Sequence, residues 1–553
     1  MAIPLSSVMF DLEWLNDQCS TRRMVEGAKW ASEMLLTLSV REEEPIGEEC
    51  RFDPLSELAE RERRVVGLAR ACMDCKEFDR AAALTQEHTK NVFISYLHYY
   101  SRYLAGEKRK LDNMADVNDR TLQFKNENLA PLHRDLEKLN ESQSMDAYHK
   151  FIYGTILSQL DLSSDAQAVL VECVCSASAF WPAWAELARL VQSRDQLLSL
   201  KLPEHWMKQL FLAEVYGKLQ LHQDAFHIYM SLKENGFANC PYVIAGMAVA
   251  SHNLQELDSA IELFQQVHEQ DPYRLEQMDI FSSTLFVKGM RVELAALAHH
   301  CFDVNKFCPE SCCIVGNYYS LRGDHDRAVL FFQRALKLDP RNAGAWTLMG
   351  HEFMELKNTS AACLAYHHAL EIDKRDYRAW YGLGQMYDIL RMSHYATYYY
   401  NLAHKSRPQD SRMVIALGDM YQKHNKLHEA QKCFWKAHCV GDIEGQALVR
   451  LGKLFEKESE HDQAAACFQK FLNQLETQEI SDLDNQPTCY RFLADYYLNK
   501  SKLDEAHYYS QLCLEHEATK EDGKGFLKRI SQYRTENGSV ESVEMDSKDS
   551  VSL

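Results

Sequence analysis

The sequence predicts an all-α fold, a superhelix (α-solenoid) of about a dozen helix hairpins. Three observations predict it: glycine recurs every 34 residues, alanine recurs at the same step twelve positions later, and aromatic residues follow both in phase. The glycines are Gly316, Gly350, Gly384, Gly418 and Gly452, and the alanines are Ala328, Ala362, Ala396, Ala430 and Ala464. A fixed period of this length indicates stacked copies of one unit.

Close helix packing explains which residue types recur. Two helices approach to about 8–10 Å only where the contact positions carry little side chain, so we place each glycine on the first helix and each alanine on the second helix of a hairpin. Aromatic residues such as Tyr319 and Phe332 fill the space around these contacts. Pro340 and Pro408 close two of the units, since proline cannot continue a helix. This pattern is typical of tetratricopeptide repeats.

The chain divides into segments that differ in how closely they match the 34-residue pattern. Most units lie end to end, so we expect one continuous superhelix rather than several domains. The tail has too little apolar content to fold and is predicted to be disordered. The segments are N-terminal units at 1–104 with an acidic loop at 42–60, a charged insertion loop at 105–146, degenerate units at 147–308, five regular units at 309–478, a final unit with a capping helix at 479–533, and the acidic tail at 534–553.

Composition excludes several classes of partner. The 553 residues carry a formal net charge of −19, which argues against nucleic acid, because binding to its backbone depends on Lys and Arg neutralising phosphates. No apolar run approaches the roughly 20 residues that cross a bilayer, and the N-terminus lacks the layout of a signal peptide. We expect no membrane association.

Two short motifs resemble metal or phosphate sites, and both are incomplete. Cys72 and Cys75 form a lone CxxC without a second pair at zinc-ligand spacing. Gly382 and Gly384 look like the start of a phosphate-binding loop, but Gly384 belongs to the repeat and no Walker lysine follows. The sequence therefore predicts no enzyme, no metal and no cofactor.

The repeat register predicts a peptide-binding groove. In this hairpin the first helix lines the concave surface, and the residue after each glycine, with those three and four further on, faces inward. Glu355, Asp388 and Asp419 would make the groove acidic and suited to arginine, although a plainly solvated helix face is the alternative. The groove residues are Asn317, Ser320, Thr347, His351, Met354, Glu355, Tyr381, Gln385, Asp388, Asp419 and Gln422.

Solvent-facing residues of the regular units carry a more specific resemblance. The segments 344–355 (GAWTLMGHEFME), 357–362 (KNTSAA) and 374–385 (KRDYRAWYGLGQ), with 316–322, 332–338 and 410–413, resemble the family of the eighth subunit of the anaphase-promoting complex, also called the cell division cycle protein 23 family. The repeat consensus does not dictate these choices. The resemblance is strongest over 309–475.

The resemblance implies a non-catalytic scaffold subunit of a ubiquitin ligase that marks mitotic cyclins and securin, found in the nucleus and cytoplasm. It implies a homodimer formed through the N-terminal repeats, contacts with other repeat subunits and a small extended accessory subunit, and a C-terminal groove for the C box of a coactivator. The alternative is a tetratricopeptide co-chaperone or other adaptor. A co-chaperone grips a terminal carboxylate with basic residues, and the predicted groove positions lack such a clamp.

Overall fold

The computed structural model describes residues 5–38, 58–116, 126–142, 144–442, 445–478 and 485–549. These residues form twenty-nine α-helices, two short 3-10 turns and no strand, so the all-α prediction is confirmed. The chain separates into two compact units, Met1–Lys306 and Phe307–Leu553. No helix within the described ranges is long and apolar enough to cross a membrane.

The described residues of unit 1 form sixteen α-helices, most of which pack with their chain neighbours as hairpins. They are α1 Leu5–Thr21, α2 Val25–Thr37, α3 Glu60–Asp74, α4 Phe78–Thr85, α5 Val92–Asp116, α6 Leu129–Glu141, α7 Ala147–Gln159, α8 Ser163–Ser176, α9 Trp181–Leu190, α10 Arg194–Ser199, α11 Met207–Lys218, α12 His222–Glu234, α13 Pro241–Leu254, α14 Leu257–Gln270, α15 Met278–Lys288 and α16 Arg291–Val304.

The first hairpin, α1 and α2, contacts later parts of its own unit. Trp30 of α2 stacks on Trp181 of α9 with ring centroids 4.8 Å apart. Asp11 of α1 accepts a hydrogen bond from the indole of Trp206 at 2.9 Å, and Lys29 pairs with Glu276 at 2.6 Å. Apolar stacking and polar pairing together hold the N-terminal hairpin against residues 181–276 of unit 1.

The segment 105–146, predicted to be a loop, is largely helical, and that prediction was wrong. Helix α5 continues to Asp116, and α6 follows after residues 117–125, which lie outside the described range. Leu129, Leu132 and Leu136 are buried along one side of α6. Their spacing is that of an amphipathic helix, and its many charges lie on the exposed side, which disguised it as a loop. The acidic loop at 42–60 also lies outside the described residues up to residue 57.

Unit 2 continues the alternation of first and second helices. Its helices are α17 Pro309–Arg322, α18 His325–Leu338, α19 Ala343–Glu355, α20 Thr359–Ile372, α21 Tyr377–Ile389, α22 Ser393–Ser406, α23 Ser411–Lys423, α24 Leu427–Gly441, α25 Gln446–Lys457, α26 His461–Gln478, α27 Gln486–Asn499, α28 Leu503–Glu515 and α29 Lys520–Asp549.

Local sequence sets the ends of these helices. Asn342, Asp376 and Asp410 stand 34 residues apart, and the side chain of each accepts a hydrogen bond from the first turn of α19, α21 or α23. Such caps satisfy backbone N–H groups that have no partner within the helix. Within each hairpin a left-handed residue follows the first helix, as at Gly323 with φ 83°. The repeat thus fixes helix boundaries as well as helix contacts.

The five repeat alanines of unit 2 are fully buried at the contacts between helices, as the packing argument requires. The tail differs from expectation, because α29 extends to Asp549 where residues beyond 534 were predicted to be disordered. Once a packed helix exists, each added residue gains a backbone hydrogen bond without a new nucleation cost. Residues 550–553 lie outside the described range.

Candidate functional site: a cleft between first helices of unit 2

A cleft of about 780 Å³ opens between the first helices α21, α23 and α25. Four of the predicted groove residues line it, namely Tyr381, Asp388, Asp419 and Gln422. The lining also includes Tyr400, Arg412, Ile415, Ala416, Met420, Lys423, Asp442, Gln446, Arg450 and Lys457. First helices therefore provide most of a concave polar surface in this unit.

Both aspartates of the predicted groove already have basic partners in the cleft. The Asp388 carboxylate lies 2.5 Å from the ammonium of Lys423, and the Asp419 carboxylate lies 3.7 Å from the guanidinium of Arg450. Burial raises the pKa of Asp419, and the positive charges of Arg450 and Lys423 oppose that shift. The expectation of an acidic groove is thus corrected to one of mixed charge, because each partner belongs to the next first helix along the chain.

Arg412 adds a fixed positive group at the edge of the cleft. Its Nε and Nη2 atoms donate to the two carboxylate oxygens of Asp410 at 3.1 and 2.8 Å. Asp410 also caps α23, so the same carboxylate holds the helix start and the guanidinium. Beside it, the rings of Tyr381 and Tyr400 lie 5.3 Å apart and form an aromatic wall.

Asn317 and Thr347 were predicted to face a peptide, and the structure places both inside the protein. Asn317 is 3% exposed and Thr347 is 1% exposed. The hydroxyl of Thr347 donates to Asp376 at 2.8 Å. Burial alone would raise the pKa of Asp376, but Arg378 and this hydrogen bond outweigh burial and lower it. The assignment of Asn317 and Thr347 to the groove is therefore corrected, because both side chains are buried and contribute to packing inside the protein.

His351 is also committed to the packing of its own hairpin. Its Nδ1 and the hydroxyl of Tyr366 form a hydrogen bond of 2.8 Å. Burial, aided by the charge of Arg378 and opposed by Asp376, lowers the pKa of His351 to about 4. The ring is therefore neutral at pH 7. It is a neutral hydrogen-bonding group within the repeat rather than a charged groove residue.

The remaining predicted residues are divided between interior and surface. Ser320 is half-buried and donates to Glu352 at 2.7 Å, while Met354 packs against the apolar cluster around Tyr366. Glu355 and Gln385 are exposed. None of these four residues lines the cleft. The predicted groove is thus brought together only around α21 and α23.

The sequence did not point to five polar residues that the structure places in the cleft or in a buried hydrogen-bond network. Glu352 is a buried carboxylate that also contacts Nδ1 of His325 at 2.8 Å. The others, Arg412, Lys423, Arg450 and Lys457, line the cleft. A signal was present, because Lys423 and Lys457 stand 34 residues apart at the ends of their first helices. Within the described residues, no group of three or more His, Cys, Asp or Glu could hold a metal ion.

The arrangement suits recognition of an extended peptide. Carboxylates and cations alternate in the cleft, and charge-assisted hydrogen bonds are stronger than neutral ones. A guanidinium entering the cleft can replace Lys423 at Asp388, and a ligand carboxylate can approach Arg412 or Lys457. The ring of Tyr381, which is half-buried and lies against that of Tyr400, offers apolar contact between these charges.

Comparison with known proteins finds one family to which a large part of the chain is similar. A family model described as anaphase promoting complex subunit 8/Cdc23 matches residues 8–248, and two tetratricopeptide repeat models match 309–342 and 446–474. The subunit 8 of Arabidopsis thaliana is 40% identical over 296 residues, which are 53% of this chain and 51% of that protein. The chain is thus similar to the subunit 8 (Cdc23) family over residues 8–248.

Relatives from other organisms show the same similarity. The cell division cycle protein 23 homolog of Homo sapiens is 44% identical over 286 residues, 51% of this chain and 47% of that protein. The Saccharomyces cerevisiae subunit is 27% identical over 371 residues, 55% of this chain and 59% of that protein. The chain thus spans about half the length of the curated relatives it matches.

A solved structure shows the same fold. A chain of the crystal structure of the APC/C hetero-tetramer Cut9-Hcn1 superposes with a TM-score of 0.59 and 16% identity, covering 94% of this chain and 95% of that chain. The family model lies in unit 1, whereas the regular repeats and the cleft lie in unit 2. Unit 1 therefore carries the similarity to subunit 8, and unit 2 carries the regular tetratricopeptide repeats.

Proposed function

We propose that the chain is a non-catalytic scaffold subunit of the anaphase-promoting complex whose unit 2 cleft binds the C-box segment of a coactivator. The observation that supports the peptide site most directly is the pair of carboxylates, Asp388 and Asp419, beside the tyrosine wall. In this proposal the ligand's arginine displaces Lys423 and donates to Asp388. A charge-assisted hydrogen bond of this kind contributes about 1.5–3 kcal/mol.

A binding titration with a labelled C-box peptide tests the cleft. We expect Asp388→Asn to weaken binding by roughly tenfold, and Asp388→Lys to weaken it further by repulsion. Asp462→Asn is the matched control, because Asp462 pairs with Lys500 at 2.5 Å and does not line the cleft. Replacing the peptide arginine with alanine should abolish the difference between wild type and Asp388→Asn. Equal affinities of wild type and Asp388→Asn for the arginine peptide would refute the site.

The bases in the cleft favour a second candidate, the co-chaperone function. Arg412, Lys423, Arg450 and Lys457 supply positive groups that the predicted groove positions lacked. They suit the terminal carboxylate of a peptide, as in capture of a C-terminus by a repeat protein. A peptide with a free C-terminus that binds much more tightly than its amidated form would favour this function over the coactivator site.

Assembly is a separate part of the proposal. We expect a homodimer through the N-terminal units, contacts with other repeat subunits and a small extended accessory subunit, and residence in the nucleus and cytoplasm. The family match over residues 8–248 supports the dimer surface. Sedimentation should show a dimer at micromolar concentration, and a monomer would contradict it. Copurification with mass spectrometry should recover ligase subunits, whereas chaperones alone would contradict the scaffold role.

A further inference from the structure

Four basic side chains link three successive second helices of unit 2, and none of them lines the cleft. The ammonium of Lys436 on α24 lies 3.1 Å from Nε2 of His404 on α22. The ammonium of Lys470 on α26 lies 2.8 Å from Nε2 of His438 on α24. Both pairs repeat at the 34-residue step, so they form one basic ladder, defined by His404, Lys436, His438 and Lys470.

Each lysine donates to a neutral imidazole in this ladder. Burial and the neighbouring ammonium lower the pKa of His404, and the same two causes lower that of His438. Because Nε2 of His404 accepts, its ring proton lies on Nδ1, and that buried atom has no hydrogen-bond partner. The imidazoles thus position the lysines without neutralising their charge.

The two lysines of the ladder, like Lys405 and Lys432, have no acidic partner within ion-pair distance among the described residues, whereas some other lysines of unit 2 do. Lys423, Lys500 and Lys502 each pair with a carboxylate. Among the described residues, no carboxylate lies within ion-pair distance of Lys436 or Lys470, although both are exposed. The ladder therefore holds two ammonium groups at the repeat spacing, each without a carboxylate partner among the described residues, on a chain of net charge −19.

We propose that this basic ladder is a docking surface for an acidic, extended peptide segment of a partner protein. The regular spacing suits a chain that crosses α22, α24 and α26 and places one carboxylate at each lysine. Trp435, which is 54% exposed and lies 6.0 Å from His438, offers an apolar contact beside the charges. Charge complementarity selects the acidic ligand, and exposed aromatic residues commonly anchor such contacts.

Fluorescence anisotropy with a labelled glutamate-rich peptide tests this surface on the full chain. The double substitution Lys436→Glu and Lys470→Glu should weaken binding by about tenfold or more, and raising the salt concentration should weaken the wild-type complex. The control, Lys524→Glu with Lys528→Glu, changes the net charge equally at exposed positions of α29 and should bind like wild type. A peptide with glutamine in place of glutamate should not bind.

Three results would overturn the proposal. They are unchanged affinity in the ladder variant, equal loss in the α29 control, and tighter binding of a DNA duplex than of the peptide with the same dependence on Lys436 and Lys470. Circular dichroism of Lys436→Gln with Lys470→Gln keeps the test valid if charge reversal perturbs folding. That neutral pair should also weaken peptide binding, while its helical signal matches wild type.

Discussion

Gly350 faces the ring of Tyr366 so closely that a β-carbon at residue 350 would lie 2.5 Å from Cε1 of that ring. The same arrangement recurs in all five regular units. A β-carbon added to each repeat glycine would lie 2.5–2.6 Å from the nearest ring atom of the aromatic residue sixteen positions later. The pairs are Gly316 with Phe332, Gly350 with Tyr366, Gly384 with Tyr400, Gly418 with Phe434, and Gly452 with Phe468. The glycine period thus exists because an aromatic ring occupies the place of a side chain.

Gly350→Ala should destabilise the protein by about 1–3 kcal/mol through overpacking. The ring of Tyr366 cannot move away easily, because Gly382 also lies close to its Cζ, Cε1 and hydroxyl and because that hydroxyl is hydrogen-bonded with Nδ1 of His351. Chemical unfolding monitored by circular dichroism measures the change. Gly525→Ala is the control, since no atom lies within 4 Å of its added β-carbon, and it should be neutral or slightly stabilising. Coincident unfolding curves for Gly350→Ala and wild type would contradict the packing argument.

Ala396→Leu and Ala430→Leu should each cost about 1–3 kcal/mol for a related reason. Both alanines are fully buried on second helices, where added methyl groups must displace the partner helix. Ala466→Leu provides the control, because Ala466 is exposed on α26. Thermal melts should show lower midpoints for the first two variants and little change for the third. The same midpoint in all four proteins would show that these helices tolerate wider separation.

Stability should depend on His351 between pH 6.5 and pH 4. An unfolded histidine titrates near pH 6.5, whereas the folded pKa of His351 is about 4, so the unfolded state binds the proton first as pH falls. The contribution of the neutral His351 ring to the free energy of unfolding is therefore almost fully present at pH 7 and falls by about 2 kcal/mol at pH 5.

The variant His351→Gln should lose less stability than wild type between pH 7 and pH 5, as measured by urea unfolding at both values. His428→Gln alters an exposed histidine of α24 and should keep the wild-type pH dependence. An unchanged pH dependence in His351→Gln would mean that this ring does not titrate as its surroundings indicate.

Glu352→Ala should destabilise the protein by about 1–3 kcal/mol, because it leaves the Ser320 hydroxyl and the His325 ring without their acceptor. Glu355→Ala, three residues later on the same helix, removes an exposed carboxylate and should be nearly neutral. Comparison of their unfolding midpoints measures the difference. Equal midpoints would show that the buried carboxylate is replaced by solvent at no cost.

The repeat allowed much of the fold to be predicted, and the exceptions have particular causes. Helix pairing in unit 2 depends on glycine, alanine and aromatic positions that recur along the chain, so sequence spacing is sufficient. Helix α6 escaped prediction because Leu129, Leu132 and Leu136 form only one narrow buried side among many charges. Gly382 resembled part of a phosphate loop, yet it packs against the ring of Tyr366.

The candidate site was predicted only in part. The repeat register gives the helix face on which a residue lies, but it does not show whether the side chain is exposed to a ligand or already bonded inside the protein. The register placed Tyr381, Asp388, Asp419 and Gln422 correctly on the first helices that line the cleft. It could not show that Thr347 lies inside the protein and binds Asp376. The burial of Thr347 depends on the next repeat, because Asp376, which caps α21, bonds back to the first helix of the preceding repeat, α19.

The sequence by itself determined the helix hairpins of the regular units and their register, since these follow from spacings and residue types that recur within each 34-residue unit. Only the tertiary structure decided which charged side chains on the surface pair with each other. Asp388 meets Lys423, 35 residues later, whereas Lys436 and Lys470 meet histidines instead of carboxylates. The physical reason is that Coulomb interactions depend on distances between side chains of adjacent repeats, and the way one repeat packs on the next sets those distances.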